Sequence, residues 1–426
     1  MPASPHALRI VLLGLGTVGR EVARYLVDPA RAVGRHGRAL ELVAVGVRDP
    51  ERPRGVALPD SIEVTGDLAG AIQRHAPDVV VELLGGIDPA RSLVAAALAG
   101  GRSVVTGNKA LLARYGAELE AAARAGGGSL RFEAAVGGGI PVLRPLAEDL
   151  AANEIRAVRG IVNGTTNFIL TAMSREGRSY EAALADAQAR GYAEADPTAD
   201  VAGNDAAAKL VVLVRLAFGE WLDLDAVTLA PPAAAGDGAP GITGVSANAM
   251  SAAAGLGLTI KLVAHAERRA DGRVVASVMP TAVRVGSVLG STAGVTNVIE
   301  VEGDPIGRVW FRGPGAGGPA TSSAVVADLL ALAGGAGSTW RDAVAAQRPK
   351  AGTSETQGAR GAARGDWLFQ TPVPSASEIT RAFPSVRAGD RGGYLLRNME
   401  LADVRRRLPL PPTETMMPIY PVLEGD

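Results

Sequence analysis

LRIVLLGLGTVGREVARYLVD occupies residues 8–28, and its reading decides the first fold unit. Residues 8–13 form a short apolar run broken only by Arg9, the length and character of a buried strand. Gly14-Leu15-Gly16-Thr17-Val18-Gly19 follows at once, then a helix-periodic stretch, REVARYLVD, and a second strand-like run, ELVAVGV, at 41–47. Strand, glycine turn, helix and strand is the arrangement in which a GxGxxG motif binds a dinucleotide. Gly14 permits the tight turn, Gly16 lets the backbone approach a pyrophosphate, and Gly19 lets the helix pack closely on the strand. Thr17 and Val18 open the helix, whose N-terminus attracts the phosphates. The alternative is a purely structural βα turn.

Further alternation follows in IEVTGDLAGAIQRH (62–75), DVVVELLGG (78–86), PARSLVAAALA (89–99), SVVTGNKALLARYGAELEAAARA (103–125) and SLRFEAAV (129–136). Near-continuous apolar strands separated by helices predict a parallel sheet covered on both faces. The fold class is therefore α/β, with a Rossmann-type parallel-sheet cofactor domain over residues 1–140. Ligand crevices lie at the carboxyl ends of such strands, where Gly85-Gly86 and Gly107-Asn108-Lys109 fall. GPGAGG (313–318), including Gly315 and Gly317, and the helical ATSSAVVADLLALAGG (320–335) are expected to complete this domain at about 311–340.

From Pro141 the pattern changes to helices at 141–152, 164–190 and 203–218, a Pro/Gly-rich connection at 229–241, and four strand-like runs. Those runs are LTIKLVAHAE, RVVASVMPTAV, TNVIEVEG and GRVWFRG, which predict a second, α+β domain with an open sheet over 141–310. Residues 346–426 are rich in Arg, Gly and Pro with weak periodicity. They are read as a tail or small appendage without a core of its own or a recognisable regulatory domain.

Composition excludes several classes of function. The 426 residues carry a formal net charge of −1, which gives no reason to expect nucleic acid or an anionic membrane as partner. Without cysteine there are no disulfides, thiolate nucleophiles or thiolate metal sites. The four histidines lack metal-ligand spacing, and His265 reads as a packed or half-exposed strand residue. No run is apolar enough to span a membrane and the N-terminus is not a secretory signal, so the expected location is the cytoplasm. The only lysines are Lys109, Lys209, Lys261 and Lys350, in a chain that otherwise uses arginine. Lysine can exchange a proton when burial lowers its pKa, whereas arginine stays charged.

GYAEADPTADVAGNDAAAK (191–209) sets Glu194, Asp196, Asp200 and Asp205 before an apolar helix. Asp205 and Lys209 stand four residues apart, on one helix face. Unpaired charges are costly on such a helix, so the two satisfy each other, a ligand, or both. A zwitterionic substrate suits them; a structural ion pair is the alternative. After the second strand, Arg48 stands where a NAD-specific site would place an acid, and its guanidinium suits a 2′-phosphate. NADP is favoured, with Asp49 keeping NAD open.

These segments together resemble the homoserine dehydrogenase family: GLGTVG (14–19), ELLGGIDPA (82–90), TGNKALLA (106–113), FEAAVGGGIP (132–141), GIVNGTTNFIL (160–170), GYAEADPTADVAGNDAAAK (191–209), GITGV (241–245) and GPGAGG (313–318). The resemblance covers about residues 8–340 and implies hydride transfer between L-homoserine and L-aspartate 4-semialdehyde in threonine, methionine and isoleucine biosynthesis. It implies that Glu194, Asp205, Lys209 and Lys109 meet the substrate, with Lys109 near the nicotinamide. Glu194 would bind the ammonium and Lys209, positioned by Asp205, would give the proton; Lys109 is its rival, and Asp196 and Asp200 read as loop and capping residues. The resemblance further implies a monovalent cation, typically sodium, held by the Glu133 carboxylate and the carbonyls of Val136, Gly138 and Ile140. A helix-starting turn with Pro141 in its first turn is the alternative. Asn163, Thr165 and Thr166 would cap a helix, border the substrate, or do both. A homodimer or homotetramer built on 141–310 is implied too.

There are departures. Gly107 stands where the family more often has alanine, and Arg284 and Gly286 fall in unfamiliar places. Many relatives continue into a βαββαβ amino-acid-binding domain with an aspartate-arginine-proline-glycine loop, which residues 346–426 lack. Two competing readings are another two-domain amino acid dehydrogenase and an NADP-binding sensor without catalysis. The 191–209 segment argues against the first, and the presence of both Lys109 and Lys209 against the second.

Overall fold

The architecture is taken from a computed structural model. It describes residues 7–32, 38–229, 241–340, 345–346, 364–370, 376–408 and 419–423. Contacts divide the chain into two units: Met1–Ile155, Val211–Leu224 and Glu302–Arg348 in the first, Arg156–Leu210, Asp225–Val301 and Pro349–Asp426 in the second.

In the first unit the apolar runs become β1 (Leu8–Leu13), β2 (Leu40–Gly46), β3 (Glu63–Thr65), β4 (Val79–Glu82), β5 (Ser103–Thr106) and β6 (Leu130–Arg131). They form one parallel sheet in the order β3-β2-β1-β4-β5-β6. Ile10, Leu12, Val80 and Val81 are fully buried, as expected of strands covered on both faces. The chain order reverses between β1 and β4, the switch point at which such sheets bind ligands. The connecting helices start where the sequence supplies a cap: Asp67 accepts from Gly70 N ahead of Leu68–His75, and Asn108 from Leu111 N ahead of Lys109–Gly126. A buried carboxylate, Glu120, takes two hydrogen bonds of 2.8 Å from Arg215 and one of 2.8 Å from Trp221 Nε1. Those bonds tie the 211–224 stretch to the helix Lys109–Gly126.

The remaining strands are β7 (Glu154–Ile161), β8 (Leu258–Arg268), β9 (Val274–Arg284), β10 (Thr296–Asp304), β11 (Gly307–Pro314), β12 (Arg364–Gln370), β13 (Arg387–Ala388), β14 (Gly393–Glu400) and β15 (Ile419–Leu423). They form a mixed sheet in the order β11-β10-β7-β8-β9-β15-β12-β14-β13. Its centre is the long hairpin β8/β9, in register from Leu258↔Arg284 to Arg268↔Val274.

Three expectations are corrected. The helix expected over 141–152 is only Leu143–Ala147, and the β-branched and apolar residues that follow make β7. The helix expected over 164–190 is two, Gly164–Glu176 and Tyr180–Ala189, because Gly177 ends the first and Ser179 caps the second through Ala182 N. The C-terminal stretch does have a core of its own. Trp367, Phe369, Ile379, Phe383, Tyr394, Leu396, Leu401, Val404 and Ile419 pack together, on elements in βαββαβ order. Residues 371–375, before its first helix, lie outside the described residues, as do 230–240 of the Pro/Gly-rich connection.

Candidate active site

The carboxyl ends of β1 and β4 build the glycine turn. Gly14 has φ +99°, and any Cβ there would collide with the Leu83 carbonyl; a Cβ at Gly19 would collide with the Gly14 carbonyl. Gly16 differs, because a Cβ there would meet nothing within 4 Å. The helix Thr17–Val27 starts at Gly16 with no side-chain cap, so its first N–H groups are left for a ligand. Helix Gly318–Ala333 starts in the same uncapped way at Gly317, and a Cβ at Gly318 would lie 2.9 Å from the Thr17 carbonyl. Two helix N-termini therefore meet at one place, with open space beside Gly16 and Gly317. This arrangement fits the pyrophosphate of a dinucleotide.

Arg48 stands exposed just beyond β2. In the same loop Arg54 donates to the Arg52 and Asp49 carbonyls, and the exposed Asp49 carboxylate accepts from Glu51 N at 3.1 Å. Gly85 and Gly86, both with φ above +70° and open space, follow β4, and half-buried Lys109 is the first residue of its helix.

Glu133 is buried, and its carboxylate accepts three backbone N–H groups: Val142 at 2.7 Å, Leu143 at 2.9 Å and Arg144 at 2.8 Å. It thus caps the helix Leu143–Ala147. Burial, and then the Asp328 charge, push its pKa up. A Cβ at Gly138 would lie 2.6 Å from the Gly315 backbone, and Gly139 N donates to Pro314 O at 3.2 Å. The candidate cation loop therefore abuts the second glycine turn.

In the second unit the 191–209 segment gathers around Asn163. Lys209 Nζ, on a residue only 9% exposed, donates to Asp205 Oδ2 at 2.8 Å and to the Val162 carbonyl at 2.6 Å. Asn163 Nδ2 donates to Asp205 Oδ2 at 2.9 Å and to Asp200 Oδ1 at 2.7 Å, while its Oδ1 accepts from Thr166 N at 2.9 Å. Only an amide can cap a helix through its oxygen and bridge two carboxylates through its nitrogen. Burial, with the Asp205 charge also contributing, raises the Asp200 pKa above the usual aspartate range.

Asp205 and Lys209 are thus brought together, and Asp200, read from sequence as a loop or capping residue, joins them. Asp196 does cap its loop, accepting from Thr198 N at 3.1 Å. Glu194 is exposed on a loop whose carbonyls at Glu194 and Ala195 accept from Gln188 Nε2. Thr165 Oγ1 donates to the Tyr192 carbonyl at 2.6 Å, tying the same loop to the helix Gly164–Glu176. No sequence signal separated Asp200 from Asp196; the parity of two carboxylates in one acidic loop hid it.

An uncapped double helix start fits a dinucleotide, and a buried lysine held by a carboxylate has the chemistry to exchange a proton. A chain carrying both is a nicotinamide-nucleotide-dependent oxidoreductase. The profile described as homoserine dehydrogenase matches residues 141–330, and that described as homoserine dehydrogenase, NAD binding domain, matches 14–133. The homoserine dehydrogenase of a Synechocystis species is 44% identical over 332 residues, 77% of this chain and 73% of that protein. The crystal structure of a homoserine dehydrogenase from Thiobacillus denitrificans superposes with a TM-score of 0.84 at 31% identity, covering 98% of both chains. A hyperthermophilic archaeal homoserine dehydrogenase in complex with NADPH matches with a TM-score of 0.60 at 25% identity, covering 76% of this chain and 97% of that one. The chain belongs to the homoserine dehydrogenase family. It catalyses the NAD(P)-dependent interconversion of L-homoserine and L-aspartate 4-semialdehyde, in threonine, methionine and isoleucine biosynthesis.

Proposed function

We propose that Lys209 is the proton donor and acceptor at the substrate's terminal oxygen. The observation that carries this is the placement of its Nζ, where Asp205 and the Val162 carbonyl take two of the three donors of an ammonium. The third is left for a substrate oxygen, to which it delivers a proton as the aldehyde is reduced. In the reverse direction Lys209 takes that proton back, and Asp205 stabilises the charge it then carries. The bound nicotinamide supplies and accepts the hydride. Glu194 binds the substrate ammonium, Asp200 adds negative charge beside Asp205, and Lys109 orients substrate and nicotinamide.

The preferred cofactor is NADP, through Arg48, exposed just beyond β2, at its 2′-phosphate. The cation site is the loop of Glu133, Val136, Gly138 and Ile140. Because the Glu133 carboxylate already caps a helix, main-chain oxygens are the fitting donors, and the ion is sodium-like in being satisfied by neutral oxygens. The working form is a cytoplasmic homodimer or homotetramer. Among the described residues no helix is long and apolar enough to cross a membrane.

The test is spectrophotometric. L-Homoserine oxidation followed with NADP and with NAD gives a higher kcat/KM with NADP. Lys209→Ala lowers kcat by about 100-fold or more and leaves the cofactor Kd within about twofold. Undiminished turnover in that variant moves the proton to Lys109 or to water.

A further inference from the structure

Glu82 ends β4 with no exposure at all, at the strand end from which Gly85 and Gly86 project. A carboxylate so placed is expensive unless its lone pairs are filled. Thr106 Oγ1 donates to its Oε2 at 2.6 Å, and Leu84 N donates to its Oε1 at 2.9 Å. Asn108 Nδ2 reaches the same Oε1 at 3.4 Å and donates to the Gly86 carbonyl at 2.6 Å. Thr106 Oγ1 in turn accepts from Asn108 N at 3.0 Å, which leaves its own proton for Glu82. Asn108 Oδ1 caps the helix that Lys109 begins, through Leu111 N at 3.1 Å. The donors around Glu82 are a hydroxyl, an amide and backbone N–H groups, all neutral, and burial pushes its pKa up.

One carboxylate therefore joins three pieces of the cofactor crevice. It holds the start of its own glycine loop, the end of β5, and the asparagine that links the Gly86 carbonyl to the Lys109 helix. The same loop presses on the dinucleotide turn, since the Leu83 carbonyl fills the space where Gly14 would carry a side chain. Aliphatic burial would fill this position at lower cost, and the first helix turn needs only Asn108.

We propose that Glu82 is a positioning residue for the reaction: it fixes the Gly85–Gly86 loop against the nicotinamide half of the cofactor, acting through Leu84, Thr106 and Asn108. The inference rests on the proposed placement of that half of the cofactor beside Gly85 and Lys109. Glu82→Gln keeps the shape and an oxygen for Leu84 N, but turns a donor toward Thr106 and removes one acceptor from the hub. It is expected to lower kcat about tenfold and to raise the KM for NADP about fivefold, while the melting temperature moves by no more than about 3 °C. Thr106→Val reproduces the loss and Thr106→Ser restores activity, because the serine hydroxyl still donates to Glu82. A kcat and a KM for NADP both within about twofold of wild type in Glu82→Gln overturn the proposal. So does a fall in activity that follows the melting temperature and is equal in Thr106→Val and Thr106→Ser. Lys109→Ala, assayed alongside, separates this inference from the reading on which it rests. An impaired Lys109→Ala with a normal Glu82→Gln removes the role of Glu82 alone. A normal Lys109→Ala with an impaired Glu82→Gln removes the role given to Lys109 and supports action through the glycine loop.

Discussion

Lys261 shows how one residue type is used for two purposes. Lys209 and Lys261 are both buried, but Lys261 Nζ is met by three neutral oxygens: Asn167 Oδ1 at 2.9 Å, Thr292 O at 2.8 Å and Thr171 Oγ1 at 3.3 Å. Three acceptors match the three donors of an ammonium and fasten the helix Gly164–Glu176 to β8. With no counter-charge among them, burial lowers the Lys261 pKa from 10.5 to about 7, and Arg175 adds to the shift. The folded value lies below the unfolded one, so between about 7 and 10.5 the unfolded chain binds the extra proton. Stability therefore rises with pH through that window, and below about 7 the full cost of the buried charge is felt. Melting temperatures of wild type and Lys261→Met at pH values of about 6, 7.5 and 9 should show the wild type gaining on the variant as pH rises. A difference that stays constant with pH would refute this account. At the Asp205–Lys209 cluster the comparable single-residue choice is Asn163, whose amide alone lets a helix cap and two carboxylates share one side chain.

At the scale of elements, the glycine turn separates two requirements that the motif runs together. Gly19 is needed by the fold, since its Cα faces the Gly14 carbonyl at helix–strand contact. At Gly16 the protein itself leaves space, so the fold does not require a glycine there and the proposed cofactor is what would. Gly19→Val should lower the melting temperature by several degrees, whereas Gly16→Val should leave it near wild type and weaken NADP binding by about tenfold or more, as read by calorimetry. Equal stability losses in the two variants would contradict the division. The same turn shows why local pattern reads well here. Strand period, glycine spacing and helix period all lie within about twenty consecutive residues, and each is dictated by nearest neighbours. The reading weakens where an element depends on distant partners. β7 follows a short helix, and what makes it a strand is pairing with β8, about a hundred residues on, from Ala157↔Glu267 to Gly160↔Ala264.

For the whole molecule, the C-terminal stretch is the instructive case. Its strand β15 joins the sheet in parallel with β9, as Val422↔Ala282 and Leu423↔Val283, so its hydrogen bonds are satisfied by chain about 140 residues earlier. The helix Ala247–Ala254 packs on this part of the sheet, and a Cβ at Gly393 would lie 2.5 Å from the Ala252 carbonyl. Gly393→Val should therefore loosen this packing and speed amide hydrogen exchange in β12, β14 and β15, with β1, β4 and β5 exchanging as in the wild type. Unchanged exchange in β12 and β14 would count against the glycine contact as the fastening. A short, Arg- and Gly-rich segment with weak periodicity concealed this because its core residues come from five separate elements and Phe383 just after the first helix, each contributing one or two side chains.

Taken alone, the amino-acid order determined the parallel cofactor sheet with its glycine turn, the Asp205–Lys209 pair and the family. Each depends on spacing along a single element, where backbone geometry turns sequence distance into spatial distance. Tertiary structure alone decided that Asp200 joins the lysine cluster, that the Glu133 carboxylate caps a helix, that the buried Glu82 gathers Leu84, Thr106 and Asn108, and that the C-terminal segment has a core. In each of these the chemistry lies in hydrogen bonds or packing between side chains far apart in the chain. Their partners are chosen by which groups burial brings together and leaves in need of a donor or acceptor.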